Sequence, residues 1–337
     1  MKRVLIIRLT AMGDVAMTSP VVSAVCREYK DVKFDILSEP FFEPFFEKLD
    51  NLQFIGTNIR KSGEGVRGLW KLYRQLAKNQ YDAIIDLHNV LRTKILRTFL
   101  HRLSGIDTYI VDKGRQEKRN LTEDNGGVKK QLKPTIERYC DVFRQAGLPI
   151  KLNGVYRCKE TSTFASRDAN DNKMWIGVSP FAQHKGKIYP TDKMKEVVEI
   201  LTKRGAQIFV FGGGEKEKNV AEEWENSIEG CRSVIGKVNL KDEMALMSNL
   251  DCMISMDSSA MHLCSLYGVR VVSVWGATHP YAGFLGYGQK MEDVVSRDLP
   301  CRPCSIYGNK VCKFGDYRCF DIEPHIIADR VMNDKMA

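Results

Sequence analysis

Several absences narrow what this sequence encodes. No stretch approaches the ~18–20 consecutive apolar residues that a membrane-spanning helix needs. The first apolar run, VLIIRL, is interrupted by Arg8 and is followed by no small-residue cleavage site. It therefore reads as a first strand and not as a secretory signal. No G-x-G-x-x-G follows that strand, and no acid stands at the distance expected in that context, which counts against an NAD-dependent dehydrogenase. No strand interleaves aromatic and basic residues as base-stacking surfaces do, so nucleic acid is not an expected partner.

The 337 residues, 43% hydrophobic and 28% charged, suffice for two globular domains, each with its own core. A formal charge of +9 favours an acidic partner. Ten cysteines without an export signal point to a reducing, cytoplasmic setting. Six are scattered, mostly among apolar neighbours, as small buried hydrophobes are. The other four, Cys301, Cys304, Cys312 and Cys319, lie in CRPCSIYGNKVCKFGDYRC. The C-x-x-C and two later thiols are a ligand set for structural zinc or an iron–sulfur centre, or else reduced cysteines in a packed loop.

Short β-branched runs alternate with helical patterns, the signature of βα units on a parallel sheet. In the first half, strands are expected at 4–9, 32–39, 81–88 and 107–112, with helices over 15–29, 66–79, 90–104 and 137–150. Residues 113–133 carry seven Lys or Arg against three acids and an internal Gly-Gly, and read as a mobile surface loop. The alternation restarts with strands at 173–180, 207–213, 251–256 and 269–276 and helices at 191–204, 216–228, 241–249 and 259–267. The expected fold is α/β, with two doubly wound Rossmann-like domains, 1–165 and 166–320, facing a central cleft. A C-terminal helix within 321–337 is expected to return to the first domain. Ligands in such sheets bind beyond the strand C-termini.

Three loops after strands of the second half carry the polar residues. SPFAQHKGKIYP holds Ser179 and Lys187, and a lysine before a helix can neutralise a diphosphate. In GGGEKE, Gly213 permits close backbone approach and Glu215 can accept hydrogen bonds from a ribose. DSSAMHL offers Asp257, Ser258 and Ser259 as a helix start aimed at phosphate oxygens, with His262 one turn on. In the first half, TAMGDVAMTSP puts one glycine and an acid, Asp14, where a phosphate loop would exclude negative charge.

DSSAMHLCSLYGVRVVSVWGATHP resembles the signature of the heptosyltransferases, the family 9 glycosyltransferases of the GT-B class. Gly276, Thr278 and Pro280 match that family's Gly-x-Thr-x-Pro turn. RLTAMGDVAMTSP resembles its opening, an Arg-ended strand followed by x-Met-Gly-Asp. DLHNVLRTKIL is similar to its Asp-x-Gln-Gly-x-x-(Arg/Lys)-Ser segment, and Lys187 with Tyr189-Pro190 to its Lys-x-Trp-Pro element. The chain departs from the pattern at Ser259, where the family has glycine, and at His88-Asn89 in place of Gln-Gly.

The resemblance implies transfer of a heptose from ADP-heptose to the inner core of lipopolysaccharide, with Asp14 as general base. Arg8, Met12, Gly13 and Arg92 would hold the acceptor, and the three loops of the second half the donor. Lysines and helix N-termini would take the place of a divalent cation, so no cofactor is expected beyond a structural zinc at the cysteines. A basic 113–133 would draw the enzyme to an anionic inner leaflet, as a peripheral protein on the cytoplasmic face. A nucleotide-sugar 2-epimerase shares the architecture, but the N-terminal pattern speaks against it.

Overall fold

A computed structural model describes residues 1–58, 65–122, 129–167 and 172–333. Its chain forms two compact units: Met1–Lys113 with Thr135–Tyr156, and Gly114–Pro134 with Arg157–Ala337.

The first unit is built on a five-stranded parallel sheet of order β3-β2-β1-β4-β5. The strands are β1 (Arg3–Ile7), β2 (Lys33–Ser38), β3 (Leu52–Gly56), β4 (Ala83–Asp86) and β5 (Asp107–Ile110). Val4 to Ile7 have no exposed surface, as expected of a central strand covered on both faces. The helices are α1 (Met12–Glu28), α2 (Gly65–Leu76), α3 (Leu91–Ser104) and α5 (Thr135–Gln145). Leu69, Leu72 and Leu76 of α2 and Leu96 and Leu100 of α3 are spaced three, four or seven apart and bury one face of each helix against Leu5, Ile7 and Ile84. The strand order reverses direction between β1 and β4, which marks where a ligand crevice forms.

The second unit holds a six-stranded parallel sheet of order β11-β10-β9-β6-β7-β8. Its strands are β6 (Trp175–Ser179), β7 (Gln207–Val210), β8 (Cys231–Ser233), β9 (Cys252–Met256), β10 (Arg270–Val274) and β11 (Val294–Val295). The reversal here falls between β6 and β9. Helices α6 (Thr191–Lys203), α7 (Glu215–Ser227), α8 (Leu240–Met247) and α9 (Ser259–Leu266) connect the strands. The C-terminal helix α10 (Pro324–Met332), expected on the first domain, instead packs on α6 and β10. Ile327, Ala328 and Val331 complete the core of the second unit.

The basic segment also departs from expectation. Residues 115–121 form a helix, α4 (Arg115–Leu121), in place of a loop, and Lys118 is buried with its ammonium 4.3 Å over the Phe284 ring. Lys129 Nζ donates to Asp298 and to the Leu299 carbonyl, and the Leu132 amide donates to the Tyr281 carbonyl. These contacts group 114–134 with the second unit. Residues 123–128 of the segment, 168–171 of the expected inter-domain junction and 334–337 of the C-terminal region lie outside the described residues.

Candidate active site

In the first unit, β1 runs into α1 through Arg8 to Ala11. Arg8 is 4% exposed, its Nη1 donating to the Leu87 carbonyl at 2.6 Å and its guanidinium lying 5.8 Å from the Tyr139 ring. Its Nη2 is 2.5 Å from Asp14 Oδ2, and the Asp14 side chain is one-third exposed. A cation fixed beside the end of β4 thus holds one oxygen of a carboxylate that still reaches solvent. Arg8, expected to bind acceptor, spends Nη2 on Asp14 and Nη1 on Leu87, while its buried Nε has no partner among the described residues. Met12 and Gly13, expected to hold the acceptor, lie in the first turn of α1, with Ala11 as its N-cap. Asp14, three residues into the helix, is exposed by its place on the first turn, where the helix dipole favours an acid.

The C-terminal end of β4 supplies the neighbouring wall. Asp86 is fully buried and accepts from the His88 and Asn89 amides at 2.9 and 2.8 Å and from Arg97 Nη1 at 2.6 Å. This pins a tight turn in which Asn89 has φ 45°. The family pattern has glycine there, and asparagine is among the few other residues that tolerate that conformation. The turn aims His88 at a pocket that it lines with Thr10, Glu39 and the exposed Arg92. His88 is 9% exposed and its Nδ1 finds no hydrogen-bond partner among the described residues. Burial, then the charges of Arg8, Lys113 and Arg92, outweigh Asp14 and push its pKa down to about 3. The imidazole is neutral at pH 7. Its position was legible as a departure from the family pattern, but its unsatisfied nitrogen was not.

In the second unit, Lys187 and Asp257 meet as expected of loops at the ends of β6 and β9: Nζ and Oδ2 are 2.9 Å apart, with Asp257 5% exposed. The loop carrying Lys187 is wedged tightly. A Cβ on Gly186 would lie 2.8 Å from the Gly308 carbonyl oxygen, and one on Gly308 2.6 Å from Lys187 Cγ. Ser258 occupies the N-cap of α9 in extended backbone, with no side-chain capping bond of its own among the described residues; its Oγ is 3.2 Å from Ser255 Oγ. The first-turn amides of α9, beginning at Ser259, therefore remain available to an anion. Ser259 is helical, so glycine is not required there. Ser179 ends β6, buried and registered with Ser255 of β9, and His262 is buried inside α9.

The glycine loop leads from β7 into α7. Gly214, at φ 84°, is the N-cap of α7, and Glu215 opens that helix exposed to solvent. Glu217 is the acid that turns inward, its Oε2 accepting from the Gly213 amide at 2.7 Å. Gly213 has open space around it, while a Cβ on Gly212 would lie 2.8 Å from both Glu217 Oε2 and the Phe181 ring. Tight internal packing is therefore at Gly212, while Gly213 leaves the space that close backbone approach of a ligand needs.

The turn from Gly276 to Pro280 is held from the cysteine segment. Arg302, 2% exposed, donates to the carbonyls of Trp275, Gly276 and Thr278, and the Cys304 amide donates to the Ala277 carbonyl at 3.1 Å. Cys301, Cys304, Cys312 and Cys319 are free, and burial pushes Cys319 up to about 11 and raises Cys304. Among the described residues no three His, Cys, Asp or Glu side chains are placed to hold a metal ion. The zinc expectation is thus unsupported: this segment braces the turn through Arg302 and backbone amides.

Residues 69–314 match the model of glycosyltransferase family 9 (heptosyltransferase). The chain is 22% identical to lipopolysaccharide heptosyltransferase 1 of Pseudomonas aeruginosa, over 95% of this chain and 91% of that protein. Its fold is similar to a family 9 glycosyl transferase from Veillonella parvula, with TM-score 0.76, 18% identity and 98% and 96% of the two chains covered. It is also similar to E. coli ADP-heptose lps heptosyltransferase II, with TM-score 0.70, 17% identity and all of both chains covered.

Proposed function

This chain belongs to glycosyltransferase family 9, and from that premise we propose that it moves a heptose from ADP-heptose to the inner core of lipopolysaccharide. The observation that carries the reading is the pairing of Asp14 with a buried Arg8 at the switch point of the first sheet. A sugar hydroxyl is a poor nucleophile at neutral pH. Asp14, with one oxygen held by Arg8, takes the hydroxyl proton as the acceptor oxygen attacks the anomeric carbon of the donor. The bond from that carbon to the diphosphate breaks, and ADP leaves with the electron pair. Such a positioned base contributes ~10²–10⁴ in rate.

The leaving diphosphate meets Lys187 and the first-turn amides of α9, which stabilise developing negative charge without a divalent cation. Glu217 and the Gly212–Gly214 backbone hold the nucleotide side. Arg92 takes an acidic group of the acceptor. Neutral His88 hydrogen-bonds one of the acceptor's hydroxyls, since its buried Nδ1 has no partner among the described residues and gains one from the ligand. A soluble donor and a lipid-linked acceptor place the enzyme in the cytoplasm, working against the inner leaflet.

The test is transfer from ADP-heptose to heptose-deficient lipopolysaccharide, with Asp14→Asn beside the wild type and chelator in a parallel reaction. The expected result is a loss of at least a hundredfold in kcat for Asp14→Asn with ADP binding retained, and no effect of chelator. Near wild-type turnover by Asp14→Asn would remove the base from this role; chelator-sensitive turnover would remove the metal-free account of the leaving group.

A further inference from the structure

Helices α2 and α3 contain no acidic residue, nor does the sequence between 65 and 81 or between 87 and 106. Each helix buries one face in the core of the first unit, through Leu69, Leu72 and Leu76 on α2 and Leu96 and Leu100 on α3. The opposite faces are exposed, and their spacing gathers cations with large apolar groups. On α2, Arg67, Trp70 and Arg74 fall at i, i+3 and i+7. On α3, Leu91, Lys94 and Arg102 fall at i, i+3 and i+11. Trp70 stands at the seam between the helices, its ring 5.4 Å from Phe99 and 5.0 Å from Tyr73, yet it is 44% exposed; Leu91 is 73% exposed. Among the described residues Arg97 is the α3 arginine whose charge is spent on an ion pair, with buried Asp86.

We infer that the outer face of α2 and α3 docks on an anionic lipid surface. Exposed tryptophan and leucine between Arg and Lys is the composition of interfacial helices, whose apolar groups enter the headgroup boundary while the cations meet lipid phosphate. The charge pattern selects this occupant. A face with cations and no acids repels a second copy of itself, so a two-fold self-association is disfavoured, and a neutral protein surface would leave the cations without partners. The expected attraction through 113–133 is weakened by the burial of Lys118 and the pairing of Lys129. The inference stands on the helices alone and does not require the proposed reaction; it adds the surface on which a lipid-linked acceptor would be met.

Three of the four tryptophans, Trp175, Trp224 and Trp275, are at most 3% exposed. Trp70 therefore serves as a reporter. The protein is mixed with phosphatidylcholine vesicles or with phosphatidylcholine–phosphatidylglycerol vesicles carrying brominated acyl chains, and binding is read by sedimentation and by fluorescence quenching. Binding and quenching are expected with the mixed vesicles only, weakening at high salt. Arg67→Glu with Lys94→Glu should lower the affinity at least tenfold, since each Lys or Arg near such a surface is worth about fivefold. Both side chains are exposed, so the double variant should melt as the wild type does and turn over a detergent-solubilised acceptor at the same rate. Equal binding to neutral vesicles, binding without Trp70 quenching, or no vesicle binding at all overturns the inference. So does light scattering that shows the face closing a dimer or an acidic protein competing it away at high salt. Turnover of the soluble acceptor without vesicle binding leaves the proposed reaction standing and this surface refuted.

Discussion

At the scale of the residue, the site is a matter of which side chains are committed and which are left over. Arg8 Nη2 is committed to Asp14, and Asp86 to the turn that carries His88, whereas among the described residues Arg8 Nε and His88 Nδ1 are left over. His88→Phe is therefore expected to raise the acceptor KM about tenfold, the value of one or two hydrogen bonds, while the donor KM is unchanged. His88→Asn, which keeps a polar atom near the Nδ1 position, should restore part of the loss. Equal acceptor KM for Phe and wild type would remove His88 from the site. The same residue carries a stability signature. Its pKa falls from an ordinary 6.5 to about 3 on folding, so the folded chain refuses a proton that the unfolded chain accepts. Its contribution is complete above pH 6.5 and is lost as pH falls from 6.5 toward about 3. Relative to wild type, His88→Phe should thus gain stability between pH 7.5 and 4.5 in urea titrations, and a difference constant across that range would contradict the assignment. Lys187 and Asp257 stood out in the sequence as polar residues in loops after strands, whereas Asp14 stood out only through the resemblance of RLTAMGDVAMTSP to the family opening. Glu217 was not distinguishable from Glu215, since helix phase near an N-cap decides which acid turns inward, and the position of Gly214 at φ 84° sets that phase.

At the scale of the element, the strands and helices that bury most were the ones legible in sequence. Strands β1, β2, β4, β6, β7, β9 and β10 are mainly apolar runs, and helices α2, α3, α6, α8 and α9 carry leucines or methionines on their buried faces. Strand β3 passed unread because LQFIG lies at a sheet edge and is only half buried, and β8 and β11 because three and two residues hold no pattern. Helix α4 was hidden by its charge: RQEKRNL reads as solvated chain until Lys118 is seen to bury its stem beneath its own ammonium over Phe284. The turn after β10 shows how an element is fixed from afar. A Cβ on Gly276 would overlap the Phe320 ring, which is itself 3% exposed and packed in the second core. Gly276→Ala is expected to cost about 1–3 kcal/mol, as overpacking does, and to weaken ADP binding by shifting the turn that Arg302 clamps. Equilibrium unfolding with a parallel ADP titration measures both; an Ala variant with wild-type stability would mean that Phe320 moves aside at no cost.

At the scale of the whole molecule, the restart of the βα pattern near residue 173 made two sheets legible, but not which unit owns residues 114–134. That ownership rests on contacts distant in sequence: Leu132 with Tyr281, Lys129 with Asp298, and Gly283, where a Cβ would lie 2.7 Å from the Lys133 carbonyl oxygen. None of these has a local signal. Each unit has its own sheet and its own buried core, so each is expected to unfold as its own cooperative block. The proposed nucleotide groups, Lys187, Glu217 and the start of α9, all belong to the second unit, and a ligand stabilises only the block that binds it. At a hundredfold excess over its Kd, ADP adds about 2.7 kcal/mol to that block, a rise of roughly 5–10 °C in its midpoint for a unit of this size. Calorimetry should show two transitions of which ADP moves one. Trp70→Phe leaves Trp175, Trp224 and Trp275, all in the second unit, so fluorescence of that variant should follow the transition that ADP moves. Fluorescence that tracks the unmoved transition would place the nucleotide in the first unit and reverse the division of labour between the two sheets.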